Sequence, residues 1–195
     1  METDFKNRFD LIVMGASAGG IEALSRIINE LPPDFSIPIV IVLHLPEDSK
    51  VSVSELFAAH TDLQVKEAEE KEAIFPGFIY FAPPGYHLLL EEDGTFSFSL
   101  DEPVNFSRPS IDVLFESASI AYGSHLLGIL LTGASGDGAI GLLEVKKRGG
   151  VSVVQDPKSA ESKIMPQAAI KLNPPDFVLS LPEMSRFIAR LKWKN

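Results

Sequence analysis

Asp10-Leu-Ile-Val-Met-Gly-Ala-Ser-Ala-Gly-Gly-Ile-Glu-Ala-Leu24 is the stretch that decides the fold. Leu11 to Met14 is a short apolar run of β-formers, the pattern of a buried strand. Gly15, Gly19 and Gly20 then permit a tight turn and close backbone approach. Ile21, Leu24, Ile27, Ile28 and Leu31 follow at helical spacing, so a helix leaves the turn. Ser17 therefore sits between the carboxyl end of a strand and the amino end of a helix. Free N–H groups and the positive dipole end at such a place favour developing negative charge. Gly15-Ala-Ser-Ala-Gly19 also has the G-x-S-x-G spacing of a nucleophile elbow. The dinucleotide-binding pattern G-x-G-x-x-G fails, because Ser17 occupies the middle glycine position. Taken alone, the stretch is explained better by a structural glycine turn, or by Ser17 as a helix cap, than by a nucleophile.

Outward from this unit, strands and helices alternate. Pro32-Pro33 stops the first helix, and Ile37 to Leu43 is a β-branched run ending at His44-Leu45-Pro46. A helix is expected over 51–60 and a short strand over 64–66, followed by the charge run Glu67-Ala-Glu-Glu-Lys-Glu72, read as a solvated turn. Phe78 to Ala82 and Tyr86 to Leu90 flank Pro83-Pro84-Gly85, and Thr95 to Leu100 follows an Asp-Gly turn. The 78–100 region is therefore read as an antiparallel insertion containing a hairpin. Pro109 to Tyr122 is a helix, Leu126 to Leu131 a central strand, Ala139 to Arg148 a helix closed by Gly149-Gly150, and Val151 to Val154 a strand. A helix over 165–172, a strand over 177–179 and a helix over 182–193 complete the chain. The expected fold is α/β: one domain over residues 1–195, with a doubly wound, mainly parallel sheet, helices on both faces and the hairpin insertion.

Ligands bind at the carboxyl ends of the strands in such sheets. Ser17, His44 and Asp137 each follow a predicted central strand. A serine hydroxyl needs a base within hydrogen-bond reach, and the base needs an orienting group. Ser17 would attack, His44 would move the proton, and Asp137 would hold the imidazole and stabilise its protonated form. Backbone N–H groups of the two glycine-rich turns, the second containing Gly133, Gly136 and Gly138, are candidates for an oxyanion site. Each residue also has a structural reading: Ser17 or Asp137 as a helix cap, His44 as a hydrogen-bonded strand-end residue. Together, three complementary groups at three strand ends favour catalysis. His60, His87 and His125 are assigned surface or turn roles. Arg108 is a candidate for a substrate carboxylate or for a salt bridge to Asp112. Met165 either lines a pocket or packs in the core. No His/Asp/Glu grouping has metal-ligand spacing, and no cofactor is expected.

The sequence has 195 residues, no cysteine and a net charge of −10. The acidic balance disfavours nucleic-acid and anionic-membrane binding. The polar N-terminus lacks the apolar core of a signal peptide, and the apolar runs are of strand length, so a soluble cytoplasmic protein with no membrane insertion is expected.

Six segments together resemble the catalytic domain of the bacterial chemotaxis protein-glutamate methylesterase (CheB) family. They are Gly15–Gly20, Leu43–Pro46, Tyr80–Pro83, Arg108–Phe115, Leu131–Gly138 and Met165–Ile170, and they lie in order across residues 11–181. The resemblance implies a doubly wound α/β fold and a triad falling on Ser17, His44 and Asp137. It also implies hydrolysis of glutamate methyl esters, with methanol released, and glutamine deamidation on the acidic cytoplasmic helices of methyl-accepting receptors. Ala18 and Ala134 depart from the family's usual Thr and Met. The phosphoacceptor receiver domain that usually precedes the family's catalytic domain is not expected in this sequence, and both a separate response regulator or signalling protein as partner and a place within a longer protein stay open. The alternative is a weakly active or non-catalytic interaction module of a chemosensory-like pathway; a nucleotide-binding module is a more distant third. Lys146, Lys147 and Arg148, with Arg186, Arg190, Lys192 and Lys194, are candidates for a basic docking patch or for merely solvated helix faces.

Overall fold

The computed structural model describes residues 5, 8–45, 52–59 and 61–193. Nine strands and six α-helices follow one another along these residues. They are β1 (Leu11–Ala16), α1 (Gly20–Asn29), β2 (Ile39–Leu43), α2 (Val53–Ala58), β3 (Gln64–Glu67), β4 (Phe78–Phe81), β5 (His87–Leu90), β6 (Phe96–Ser99), α3 (Ile111–Tyr122), β7 (Leu126–Leu130), α4 (Ala139–Lys147), β8 (Val151–Gln155), α5 (Ile164–Leu172), β9 (Phe177–Leu179) and α6 (Leu181–Ala189). Seven strands form one sheet in the order β3-β4-β2-β1-β7-β8-β9, and every pairing in it is parallel.

β1 lies at the centre of this sheet with all six residues buried. Its side chains alternate between two cores. Ile12 and Met14 pack with α1 and α6, while Leu11 and Val13 pack with α3, α4 and the β5–β6 hairpin. That is why the strand is apolar throughout rather than alternating: both faces of the sheet are covered. Each fully buried aliphatic is worth about 1.5–3 kcal/mol, so β1 anchors the fold from both sides.

The doubly wound α/β class stands, but the insertion is smaller than the sequence suggested. β4 is not antiparallel; it lies inside the main sheet between β3 and β2. Pro83-Pro84-Gly85 leads the chain out of the sheet, and only β5 and β6 form a separate antiparallel pair. The third helix also begins later than read: Ser110, not Pro109, stands at its threshold as the N-cap of α3. The expected helix over 51–60 is observed as Val53–Ala58; Val51, His60 and Lys194 lie outside the described residues. His87, expected at a surface or turn, is buried at 1% exposure. Its Nδ1 accepts the backbone N–H of Ser110 at 3.2 Å, and its Nε2 lies 3.2 Å from the Glu102 carbonyl, so the ring ties the hairpin to the start of α3.

The winding reverses at β1: β2 is added on one side and β7 on the other. The carboxyl ends of β2, β1 and β7 therefore border one crevice, at the topological switch point where such folds hold ligands.

Candidate active site

Ser17 stands on the turn between β1 and α1. Its N–H donates to the Thr132 carbonyl (3.0 Å), and its own carbonyl accepts from Gly20 (2.7 Å). Thr132 Oγ1 donates to the Ala18 carbonyl at 2.8 Å, so the loop after β7 clamps the serine turn from below. The N-cap of α1 is Gly19, at φ 75, and no side chain caps the helix. Ser17 is thus not a helix cap, and its hydroxyl is not committed to the backbone. The N–H groups of Ala18 and Gly19 have no acceptor among the described residues, which leaves two donors beside the serine at a helix start. Gly133 does not supply a third donor: its N–H is used by the Ser162 carbonyl at 3.1 Å.

His44 follows β2 directly, and its N–H donates to the Ala16 carbonyl at 2.9 Å, placing this residue alongside the serine turn. Nε2 lies 3.0 Å from Asp137 Oδ2, and the His44 side chain is 13% exposed. The distance is that of an ion pair, but Nε2 makes no hydrogen bond of good direction among the described residues. Nδ1 faces the Ser107 hydroxyl at 3.5 Å. No hydrogen bond joins Ser17 to His44 in this structure; catalytic hydrogen bonds commonly tighten only with substrate present.

Asp137 is fully buried and held from four directions. It accepts from Ile111 N–H (2.7 Å), Ser110 Oγ (2.8 Å), Asp112 N–H (3.2 Å) and Asn105 Nδ2 (3.2 Å). The sequence offered a capping role for Asp137 on its own helix, α4, but Gly138 is the N-cap there. Asp137 instead serves the free N–H groups of α3, a helix that precedes it in the chain. Burial raises its pKa, but the contact with His44 and the N–H and O–H donors outweigh burial and hold the carboxyl below its ordinary value. It is therefore an anion, suited to orient an imidazole and stabilise its charged form.

Behind it lies a second buried carboxylate, Asp112. Its Oδ1 accepts from Gly141 N–H (2.7 Å) and its Oδ2 from Asn105 Nδ2 (2.9 Å). Arg108 is not paired with Asp112. Its Nη1 donates to the carbonyls of Leu100 (2.9 Å) and Asp101 (3.1 Å), while Nε is buried without a partner among the described residues. Arg108 shares with His44, Ser107 and Phe106 a cleft of about 410 Å³. Met165 is fully buried rather than lining the cleft. A Cβ placed on Gly133 would lie 2.5 Å from Met165 Cε and 3.0 Å from Ser17 Cβ, so Met165 and Ser17 both crowd the bare face of Gly133. His125 is half-exposed and pairs with Asp10 at 3.3 Å. Among the described residues no group of His, Asp and Glu is placed to hold a metal, and no helix is long and apolar enough to cross a membrane.

The fold and this geometry can be set beside known proteins. The CheB methylesterase family model matches residues 12–188. The chain belongs to the CheB methylesterase family. A CheB-family relative from Leptospira interrogans, named as a candidate protein-glutamate methylesterase/protein-glutamine glutaminase, is 51% identical over 187 residues, covering 96% of this chain and 97% of the relative. The protein-glutamate methylesterase/protein-glutamine glutaminase of Paraburkholderia xenovorans is 43% identical over 93% of this chain, which spans only 51% of that protein. The crystal structure of the Thermotoga maritima CheB methylesterase catalytic domain matches with a TM-score of 0.88 at 33% identity, covering 93% of this chain and 97% of that one. Membership of the CheB family makes this chain a methylesterase-type hydrolase domain.

Sequence reasoning missed Asn105, Ser107, Ser110 and Asp112 as parts of the site, although all lie in or beside the Arg108 segment. It read that segment for a guanidinium with Asp112 as an ion-pair partner, for a helix start at Pro109 and for a family-like motif.

Proposed function

We propose that this chain hydrolyses γ-glutamyl methyl esters on the cytoplasmic helices of methyl-accepting receptors, with glutamine deamidation by the same route. Ser17 is the nucleophile, His44 the base and Asp137 the orienting acid. The observation that carries this reading is the contact of His44 Nε2 with the buried Asp137 at 3.0 Å, formed across the strand that ends at Ser17.

With Nε2 turned to Asp137, Nδ1 is the nitrogen that takes the proton from Ser17 Oγ. The oxygen attacks the ester carbonyl, and the N–H groups of Ala18 and Gly19 receive the oxyanion. Collapse of the tetrahedral intermediate returns the proton from His44 to the methoxy oxygen, and methanol leaves. Water, deprotonated by His44, then attacks the acyl-serine, freeing the glutamate carboxylate and restoring Ser17. Arg108, on the cleft beside His44, is assigned to substrate carboxylates or carbonyls. Met165 is assigned to support of the serine turn.

The test is methanol release from a methylated receptor fragment by wild type, Ser17→Ala and His44→Ala. Both variants are expected to lose at least about a thousandfold in kcat. Equal release by wild type and Ser17→Ala would remove the serine from the mechanism. Binding of the receptor without turnover by wild type would favour the interaction-module alternative.

A further inference from the structure

We infer that Asn105 is a positioning residue for the hydrolysis proposed above, its amide joining the Asp137 and Asp112 carboxylates so that Asp137 stays fixed on His44. The inference rests on that reaction for its catalytic consequence, and on the local geometry for its physical content.

The geometry begins with a tight turn. Val104 and Ser107 exchange both backbone hydrogen bonds, at 3.2 and 2.9 Å, with Asn105 and Phe106 between them at φ 50 and φ 63. Two central residues in the left-handed region make a type I′ turn, in which Asn is favoured first and Gly second. Here Phe stands second, where a bulky side chain is strained, and it is fully exposed to solvent. Nothing in the packing of Phe106 offsets that strain. The contacts of its neighbours do. Asn105 reaches inward to Asp112 (2.9 Å) and Asp137 (3.2 Å), and Ser107 lies against His44 Nδ1 (3.5 Å). The turn thus presents one donor to the proposed triad's acid and one hydroxyl to its base.

Asn105 Nδ2 is the one side-chain donor serving both buried carboxylates among the described residues. Facing the pair are the Ser110 hydroxyl and the Ile111 and Asp112 N–H groups from α3, the Gly141 N–H from α4, Glu116 one turn along α3, and His44 beyond β2. His87 acts on the pair only through the backbone of Ser110. Without the amide, two like charges share a buried space with no common donor. Either they move apart, carrying Asp137 off His44, or they bind a proton.

Asn105→Gly removes the amide while keeping a residue that adopts positive φ freely. Two measurements are made on the full chain: steady-state hydrolysis of a peptide carrying a glutamate methyl ester between about pH 5 and 9, and carboxyl carbon NMR titration of labelled aspartates. The expected result is a fall in kcat of about tenfold to a hundredfold with little change in KM. The upper carboxyl titration step should move to higher pH. Adding Asp112→Asn removes the second charge, and with it the upper step, so kcat should recover. An Asn105→Gly protein with wild-type kcat and carboxyl titration, changed only in thermal stability, would overturn the inference. If wild type itself releases no methanol, the reaction is wrong, and the titration alone decides whether Asn105 holds the pair.

Discussion

At the scale of single residues, the site is organised by two carboxylates that burial treats differently. Asp112 is pushed up from 3.8 to about 6, first by burial, which the Gly141 N–H opposes, and further by Asp137 and Glu116. Asp137 is held below its ordinary value because His44 and several donors outweigh burial. The two therefore act on stability in opposite senses. Between 3.8 and about 6 the folded chain holds an Asp112 proton that the unfolded chain has released, so Asp112 lowers stability as pH rises through that window. Asp137 contributes stability above its unfolded value and loses it as pH falls through its lower folded value. Urea unfolding of wild type should therefore include a component of stability that declines from about pH 4 to 6, and Asp112→Asn should lack it. Parallel curves for the two proteins would assign the decline to another group. Such a carboxyl, close to neutrality beside a carboxylate held ionised, is the kind of divergence that functional sites display.

At the scale of elements, the site depends on helix starts meeting strand ends. Gly138 begins α4 at φ 90, and a Cβ there would lie 2.5 Å from Leu130 Cδ1 and 2.7 Å from Ile111 Cγ2. Gly94 is also left-handed, at φ 79, but open space surrounds it. Gly138→Ala is expected to cost about 2–4 kcal/mol, combining backbone strain with overpacking of α3 against β7, and Gly94→Ala about 1 kcal/mol, from strain alone. Equal losses in urea unfolding would mean that α3 and β7 give way freely at Gly138. The same elements explain what the sequence disclosed. β1, β2 and β7 are buried on both faces, so their apolar runs identified them, and the rule of strand carboxyl ends then picked out Ser17, His44 and Asp137. β4 was misplaced because periodicity reports burial and not neighbours: Phe78–Phe81 reads alike beside β2 or in a hairpin. The bond from Asp137 to Ile111, 26 residues apart, leaves no local trace. The turn at Asn105 and Phe106 escaped because Phe stands where a turn signal needs glycine.

At the scale of the molecule, charge and topology set the terms of docking. Helices run back from the strand carboxyl ends, so the first turns of α1, α3, α4 and α5 surround the crevice and their last turns lie at the opposite end of the sheet. Lys146 and Lys147 are in the last turn of α4 and Arg186 in the last turn of α6. Lys146 is engaged by Asp176, Lys147 by Glu144 and Lys192 by Asp34. These cations sit away from the crevice, and the net charge of −10 is not offset at the site by a basic patch built from them. An acidic receptor helix would meet long-range repulsion that its neutral methyl esters relieve and that each hydrolysis restores. Under the proposed reaction, product would be repelled more strongly than substrate, which would favour release. Raising ionic strength from about 0.01 to 0.15 M shortens the Debye length from about 30 to 8 Å, which should lower KM for an acidic methylated helix and increase inhibition by the demethylated product. The kcat for a short uncharged ester peptide should hardly change over the same range. A KM that instead rises with salt would mean that attraction governs encounter, and would place a cationic contact, with Arg108 the nearest candidate, at the centre of recognition.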